Sequence, residues 1–236
     1  MSPAPTCSGI PAAAPHELRR ERLLQLLHLQ NGRQLIVLLA PAGSGKSILA
    51  AAYAREISAV VGWLRLEAGD RDSRALFGRL SAALEASFVP LHALRAGLAA
   101  GAEGVRLARL LLKDLVQTPA GFVVVLDDFH IVQDTDDVVE AIDTLVCELP
   151  EVGQLVLTSR EPPPLSMTRL VARNAVFGVG ADVLRFTEEE SRELANCLGR
   201  VDAGYIGELQ ARAAVTAYPA RAAPPCCWPN RSGGVV

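Results

Sequence analysis

The chain has 236 residues, 23 Lys+Arg against 26 Asp+Glu, and a formal net charge of −3. The length allows one large domain or one plus a fragment, and since half of the residues are hydrophobic but only 5% are aromatic, its core is predicted to be built from Leu, Val, Ile and Ala. The acidic balance argues against a nucleic-acid binder, which is usually basic, and no apolar run nears the ~18–20 residues of a membrane span. The first residues lack the basic start and apolar stretch of a secretory signal. The five cysteines are scattered without Cys-x-x-Cys spacing, a pattern of neither a disulfide framework nor a zinc site, and a reducing cytoplasm is the expected location. Only two of the 23 basic residues are lysines, Lys46 and Lys113. In a chain that otherwise writes its cations as Arg, Lys46 marks a position that needs an amine; Lys113 carries no such reading.

Residues 1–15 are Pro/Ala-rich and predicted disordered. Leucines spaced among Arg, Glu and Gln predict an amphipathic helix over 17–29, which Asn31-Gly32 breaks. The continuous apolar run 34–40 has the pattern of a strand buried on both faces of a parallel sheet, and a Gly-rich turn then opens an Ala-rich helix, Lys46–Glu56. Further strands are predicted at 60–66, 122–126 and 154–158, with a short fifth at 183–186. Helices are predicted at 73–86, 105–117 and 136–147, separated at 87–104 by an irregular connection. Thr187-Glu-Glu-Glu190 has capping-box spacing and opens a last helix that Gly199 stops. Strands alternating with helices predict a three-layer α/β fold with a parallel sheet. From about Ala211 the apolar period is lost in a Pro/Cys-rich tail.

Between the first strand and its helix lies Ala40-Pro41-Ala42-Gly43-Ser44-Gly45-Lys46-Ser47, which departs from G-x-x-x-x-G-K-[ST] only at the leading position. Pro41, Ala42, Gly43, Ser44, Gly45, Lys46 and Ser47 are the candidate phosphate-binding residues. Gly43 and Gly45 let the backbone curl so that successive N–H groups face phosphate oxygens, and the helix start adds unsatisfied amides and a positive dipole end. Lys46 is a flexible point charge suited to the β- and γ-phosphates, and Ser47 offers a hydroxyl to Mg²⁺. Ala40 is tolerable at the strand end provided φ stays negative.

About 80 residues on, Val123-Val-Val-Leu126-Asp127-Asp128-Phe129-His130 is an apolar strand ending in two carboxylates, the Walker B arrangement. Burial of the strand places Asp127 at the carboxyl edge of the sheet, where open α/β sheets form their ligand crevice. There Asp127 is the second candidate Mg²⁺ residue beside Ser47. Asp128 is the candidate catalytic base for water; His130 reads as a packing neighbour. At the end of the next strand, Thr158 or Ser159 is placed to sense the γ-phosphate, and Arg160 to stabilise developing charge as the second candidate catalytic residue.

Together these stretches resemble the ATPase module of large LuxR-type transcriptional regulators, the group of the maltose-regulon activator, in the STAND branch of P-loop NTPases. The resemblance covers about 17–212. It rests on Ala40 to Ser47, on Gly62-Trp63-Leu64-Arg65-Leu66-Glu67-Ala68-Gly69-Asp70, on Leu126-Asp127-Asp128-Phe129-His130, on Thr158-Ser159-Arg160 with Pro162 to Pro164, and on Leu184-Arg185-Phe186-Thr187-Glu188-Glu189-Glu190. It implies sheet order 5-1-4-3-2, ATP as ligand with Mg²⁺, slow hydrolysis used as a switch, a sensor role for Arg160, and a helix near Arg19 to Leu24 that enters beside the adenine. With the composition of the two ends, the expected division is a disordered 1–15, a P-loop NTPase domain at 16–200, and at 201–236 a remnant of a following helical region with an irregular tail. Where the family continues Arg-Thr-x-Gly-Trp, this chain has Arg212-Ala213-Ala214-Val215, so a truncated or frame-shifted regulator without its DNA-binding domain is expected.

The leading reading is therefore an ATP-binding signalling NTPase core whose partners are ATP or ADP, a second copy or other regulator domains, with neither direct DNA binding nor membrane insertion. The alternatives are a nucleotide-binding interaction module without useful turnover, or a non-functional fragment. A GTPase lacks its Asn-Lys-x-Asp motif here, and a small-molecule kinase lacks a recognisable acceptor site.

Overall fold

The computed structural model describes residues 9–197 apart from Phe88 and Pro119. Five strands, β1 (Leu35–Leu39), β2 (Val60–Arg65), β3 (Phe122–Asp127), β4 (Gly153–Ser159) and β5 (Val176–Val179), form one sheet. All neighbours are parallel in the order β2-β3-β4-β1-β5, the expected 5-1-4-3-2 arrangement read from the other edge. Around it lie α1 (Glu21–His28), α2 (Lys46–Glu56), α3 (Ser73–Glu85), α4 (His92–Ala99), α5 (Gly104–Leu115), α6 (Asp136–Cys147), α7 (Met167–Ala172), α8 (Ala181–Leu184) and α9 (Glu188–Cys197).

Alternate side chains of the strands leave on opposite faces, so each central strand feeds two cores. Leu35, Val37, Val124 and Leu157 join the core built with α3 to α7, whereas Ile36, Leu38, Val125 and Val156 join the core under α1 and α2. That double burial is why the strands read as unbroken apolar runs. Three layers result, and the chain's Leu, Val and Ala supply nearly all of both cores.

Three expectations are corrected. The first helix starts at Glu21 rather than at residue 17, because Arg20 is drawn inward and donates to the Leu184 and Arg185 carbonyls, each at 2.8 Å. Residues 87–104 are not wholly irregular, since they contain α4. Its first amides are capped from a distance by Asp114, at 3.1 Å to Ala93 N and 2.9 Å to Leu94 N, a partner no local cap signal shows. The fifth strand is Val176–Val179, paired with β1, and not 183–186; Ala181–Leu184 is instead a helical turn and Phe186 packs under Arg20. The predicted capping box does form: Thr187 N donates to Glu190 Oε2 at 3.0 Å and Glu190 N to Thr187 Oγ1 at 3.1 Å. The tail beyond Cys197 lies outside the described residues. Among those described, no helix is long and apolar enough to cross a membrane.

Candidate functional site

Strand order sets the site. β4 lies between β1 and β3, so the loop that follows β1 and the acidic pair that ends β3 flank the end of β4 at one sheet edge. Gly43 and Gly45 have φ of 80° and 83°. No neighbour lies within 4 Å of a Cβ built on either, so backbone conformation rather than space calls for glycine there. Ala40 keeps a negative φ and donates its N–H to the Ser159 carbonyl at 3.2 Å, which makes the missing leading Gly harmless.

Lys46 folds across its own loop. Its side chain is buried, and Nζ donates to Ala40 O at 2.6 Å, Pro41 O at 2.9 Å and Ser44 Oγ at 3.4 Å. Burial pushes its pKa down and Arg160 adds to that, against the opposing pull of Asp128 and Asp127. Ser44 Oγ in turn donates to Pro41 O at 2.9 Å. Pro41 is half-buried, while Ala42 and Gly43 are exposed at the tip.

Ser47 and Asp127 meet. Ser47 Oγ donates to Asp127 Oδ1 at 2.7 Å, and Thr158 Oγ1 donates to the same oxygen at 2.5 Å. The Thr158 hydroxyl also accepts from Asp128 N at 2.9 Å, so it ties β4 to the acidic pair, with both its capacities used inside the protein. Ser159 Oγ accepts from Glu161 N at 3.3 Å. Asp128 stands at φ 63°, with Oδ2 3.4 Å from Arg65 Nε and Oδ1 3.8 Å from His130 Nδ1. His130 is depressed in pKa first by its burial and then by Arg160, more than Asp128 offsets. Arg160 is exposed at the end of β4, its charge felt at both Lys46 and His130.

Beside the loop opens a cavity of about 760 Å³. Its lining includes Gly45, Ser47, Ile48 and Asp127, together with Arg20, Phe186 and Leu194, and an N-terminal wall of residues between Gly9 and Leu18. Arg55 holds that N-terminal wall through Pro11 O at 2.6 Å and through Glu17.

No protein-family model matches the chain. Among solved structures it is similar to a signal transduction ATPase with numerous domains (STAND) protein with a tetratricopeptide repeat sensor from Pyrococcus horikoshii. That match has 21% identity and a TM-score of 0.61 over 88% of this chain and 29% of the other. It is also similar to a Walker-type ATPase of Pyrococcus abyssi, at 13% identity and a TM-score of 0.53, over 83% of this chain and 62% of the other. The fold is that of the P-loop NTPases. The chain spans less than two thirds of either neighbour.

Sequence reasoning thus brought Lys46, Ser47, Asp127, Asp128 and Arg160 to one edge. The sequence gives no site role to Arg65, Phe186 or Ile48, and names Arg20 only within the segment that the resemblance brings beside the adenine. Arg65 ends a strand and is opposite Asp127 in register; strand pairing was the one signal that would have found it. Arg20 and Phe186 come together from 166 positions apart, with the guanidinium 4.2 Å from the ring centroid, and no local pattern announces that contact.

Proposed function

We infer that the chain is the nucleotide-binding module of a STAND-type signalling ATPase, which holds ATP with Mg²⁺ and hydrolyses it slowly as a switch. The observation that carries this reading is the 2.7 Å bond between Ser47 Oγ and Asp127 Oδ1, beside a buried Lys46. It brings the end of the Gly-rich loop and the carboxylate that closes β3 together across 80 residues of chain. A hydroxyl and a carboxylate are hard oxygen donors. Mg²⁺ takes one or two carboxylates and fills its remaining positions with phosphate and water oxygens. Among the described residues no three His, Cys, Asp or Glu gather as they would in an all-protein metal cage, so the donor set fits Mg²⁺ brought with a nucleotide. Ser47 and Asp127 would hold the ion, which supplies neutralisation of phosphate charge when bound.

The chain's own residues divide the remaining work. The amides of residues 41–47 bind and orient phosphate oxygens. Lys46, now satisfied by carbonyls, gains an anion as its stronger partner. Asp128 accepts the proton of the attacking water in ATP + H₂O → ADP + phosphate, and Arg160 brings positive charge to the same edge. The five family-like stretches support the finer reading of a LuxR-type regulator module, cytoplasmic, with DNA contacts left to other parts of the regulator. The STAND neighbour, a signal transduction ATPase by name, supports the switch.

Lys46→Ala is expected to weaken ATP binding in calorimetry by about 100-fold or more, as loss of a charge-assisted contact set predicts. Unchanged affinity overturns the site. Single-turnover phosphate release then separates a hydrolysing switch from a module that only retains ATP or ADP.

A further inference from the structure

We propose that Arg65 is a positioning residue for Asp128: from the neighbouring strand it holds the carboxylate that activates water, so that it governs hydrolysis without contributing to nucleotide affinity. The inference rests on the ATPase reading above. Four observations converge. Arg65 is the last residue of β2 and lies opposite Asp127 in the parallel register. Its backbone is pinned on both sides, since Leu66 N donates to Asp127 O at 2.9 Å and Arg79 Nη2 donates to Arg65 O at 3.1 Å. Its Nε stands 3.4 Å from Asp128 Oδ2, and it shares the wall of the cavity with Ser47 and Asp127. Asp128, for its part, is fixed through its N–H to Thr158 at 2.9 Å, which leaves the carboxylate as the part that can turn.

The arrangement is poor as a stability device. The Arg65 side chain is 72% exposed, and an ion pair so open to water adds little to folding. It is well suited to orientation. A side chain anchored on a rigid strand end, meeting a carboxylate at the crevice, restricts the directions that carboxylate takes, and a misplaced base loses rate steeply with distance. His130 Nδ1, 3.8 Å from the other carboxylate oxygen, is too far for a hydrogen bond, so Arg65 is the nearer partner.

The test measures ATP·Mg²⁺ affinity by calorimetry and phosphate release in single turnover on the full chain. It compares the wild type with Arg65→Ala, Arg65→Lys, Asp128→Asn and Arg65→Ala/Asp128→Asn. Arg65→Ala is expected to bind ATP within about twofold of wild type while hydrolysis falls about 10- to 100-fold. Arg65→Lys is expected to recover most of the rate, and Arg65→Ala to cost nothing further in the Asp128→Asn background, because the two residues act as one unit. Equal hydrolysis in Arg65→Ala with binding intact overturns this inference alone. A loss of affinity parallel to the loss of rate overturns it too, making Arg65 a ligand contact. A wild-type chain that binds ATP without releasing phosphate overturns it while the nucleotide reading stands, and one that does not bind ATP overturns both.

Discussion

Asp128 occupies the left-handed region, at φ 63° and ψ 44°, which Asp and Asn tolerate because their short polar side chains bond locally, whereas Ala there costs about 1 kcal/mol. Asp128→Asn should therefore fold within about 0.5 kcal/mol of wild type in urea denaturation yet lose phosphate release. Asp128→Ala should lose release and a further ~1 kcal/mol of stability. Equal stability of the two variants would show that the backbone there is not held as described. The candidate site residues were legible because each requirement is local. A Gly at positive φ, an amine among arginines and a carboxylate closing an apolar run all appear within a few positions. Thr158 was legible only as a candidate at the right edge. That its hydroxyl serves Asp127 and Asp128, at 2.5 and 2.9 Å, depends on β4 lying beside β3.

At the scale of elements, β2 and α3 press together so closely that Gly62 admits no side chain. A Cβ built there falls 2.5 Å from Leu84 Cδ2 and 2.8 Å from Cγ, and Leu84 is fully buried. Gly62→Ala should cost about 1–3 kcal/mol through overpacking. Gly69→Ala, where nothing lies within 4 Å, should stay within about 0.5 kcal/mol. Denaturation midpoints of the two compare them directly, and a neutral Gly62→Ala would contradict the packing. Elements with a strong local signal of their own, such as the amphipathic α6 and the apolar runs of β1 to β4, were readable to within a residue or two. α4 and β5 were not. α4 takes its cap from Asp114, some 20 positions away, and β5 is a half-exposed edge strand interrupted by Gly178, so neither carries its stabilising partners in its own sequence.

Across the whole molecule, Arg20 joins the segment ahead of α1 to the segments around α8 and α9. Its guanidinium bonds the Leu184 and Arg185 carbonyls and Glu190 Oε2, the last at 2.9 Å, while stacking on Phe186. Both partners are largely buried, Arg20 at 7% and Glu190 at 12% exposure. Removing one side of such a pair typically costs about 3–5 kcal/mol, so Arg20→Ala should lower stability by that order and loosen the cavity wall it shares with Phe186. Burial alone would raise the Glu190 pKa, but hydrogen bonds from Arg20 and from the Thr187 amide, with the charges of Arg20 and Arg22, bring it below its ordinary 4.5. A folded-state pKa below the unfolded one stabilises the protein above pH 4.5, and that contribution is lost as the pH falls through the folded value. Glu190→Gln should therefore be less stable at pH 7 and show a shallower acid decline; an unchanged decline would place the linkage elsewhere. The sequence by itself determined the alternation of strands and helices, the parallel sheet and the residues of the phosphate loop and acidic pair. These follow from periodicity and from local backbone and charge requirements. Tertiary structure alone decided which strand closes the sheet, that Arg65 meets Asp128, and that Arg20 clasps Glu190. Those are contacts between segments far apart in the chain, selected by strand order and burial, for which no stretch of residues carries a pattern.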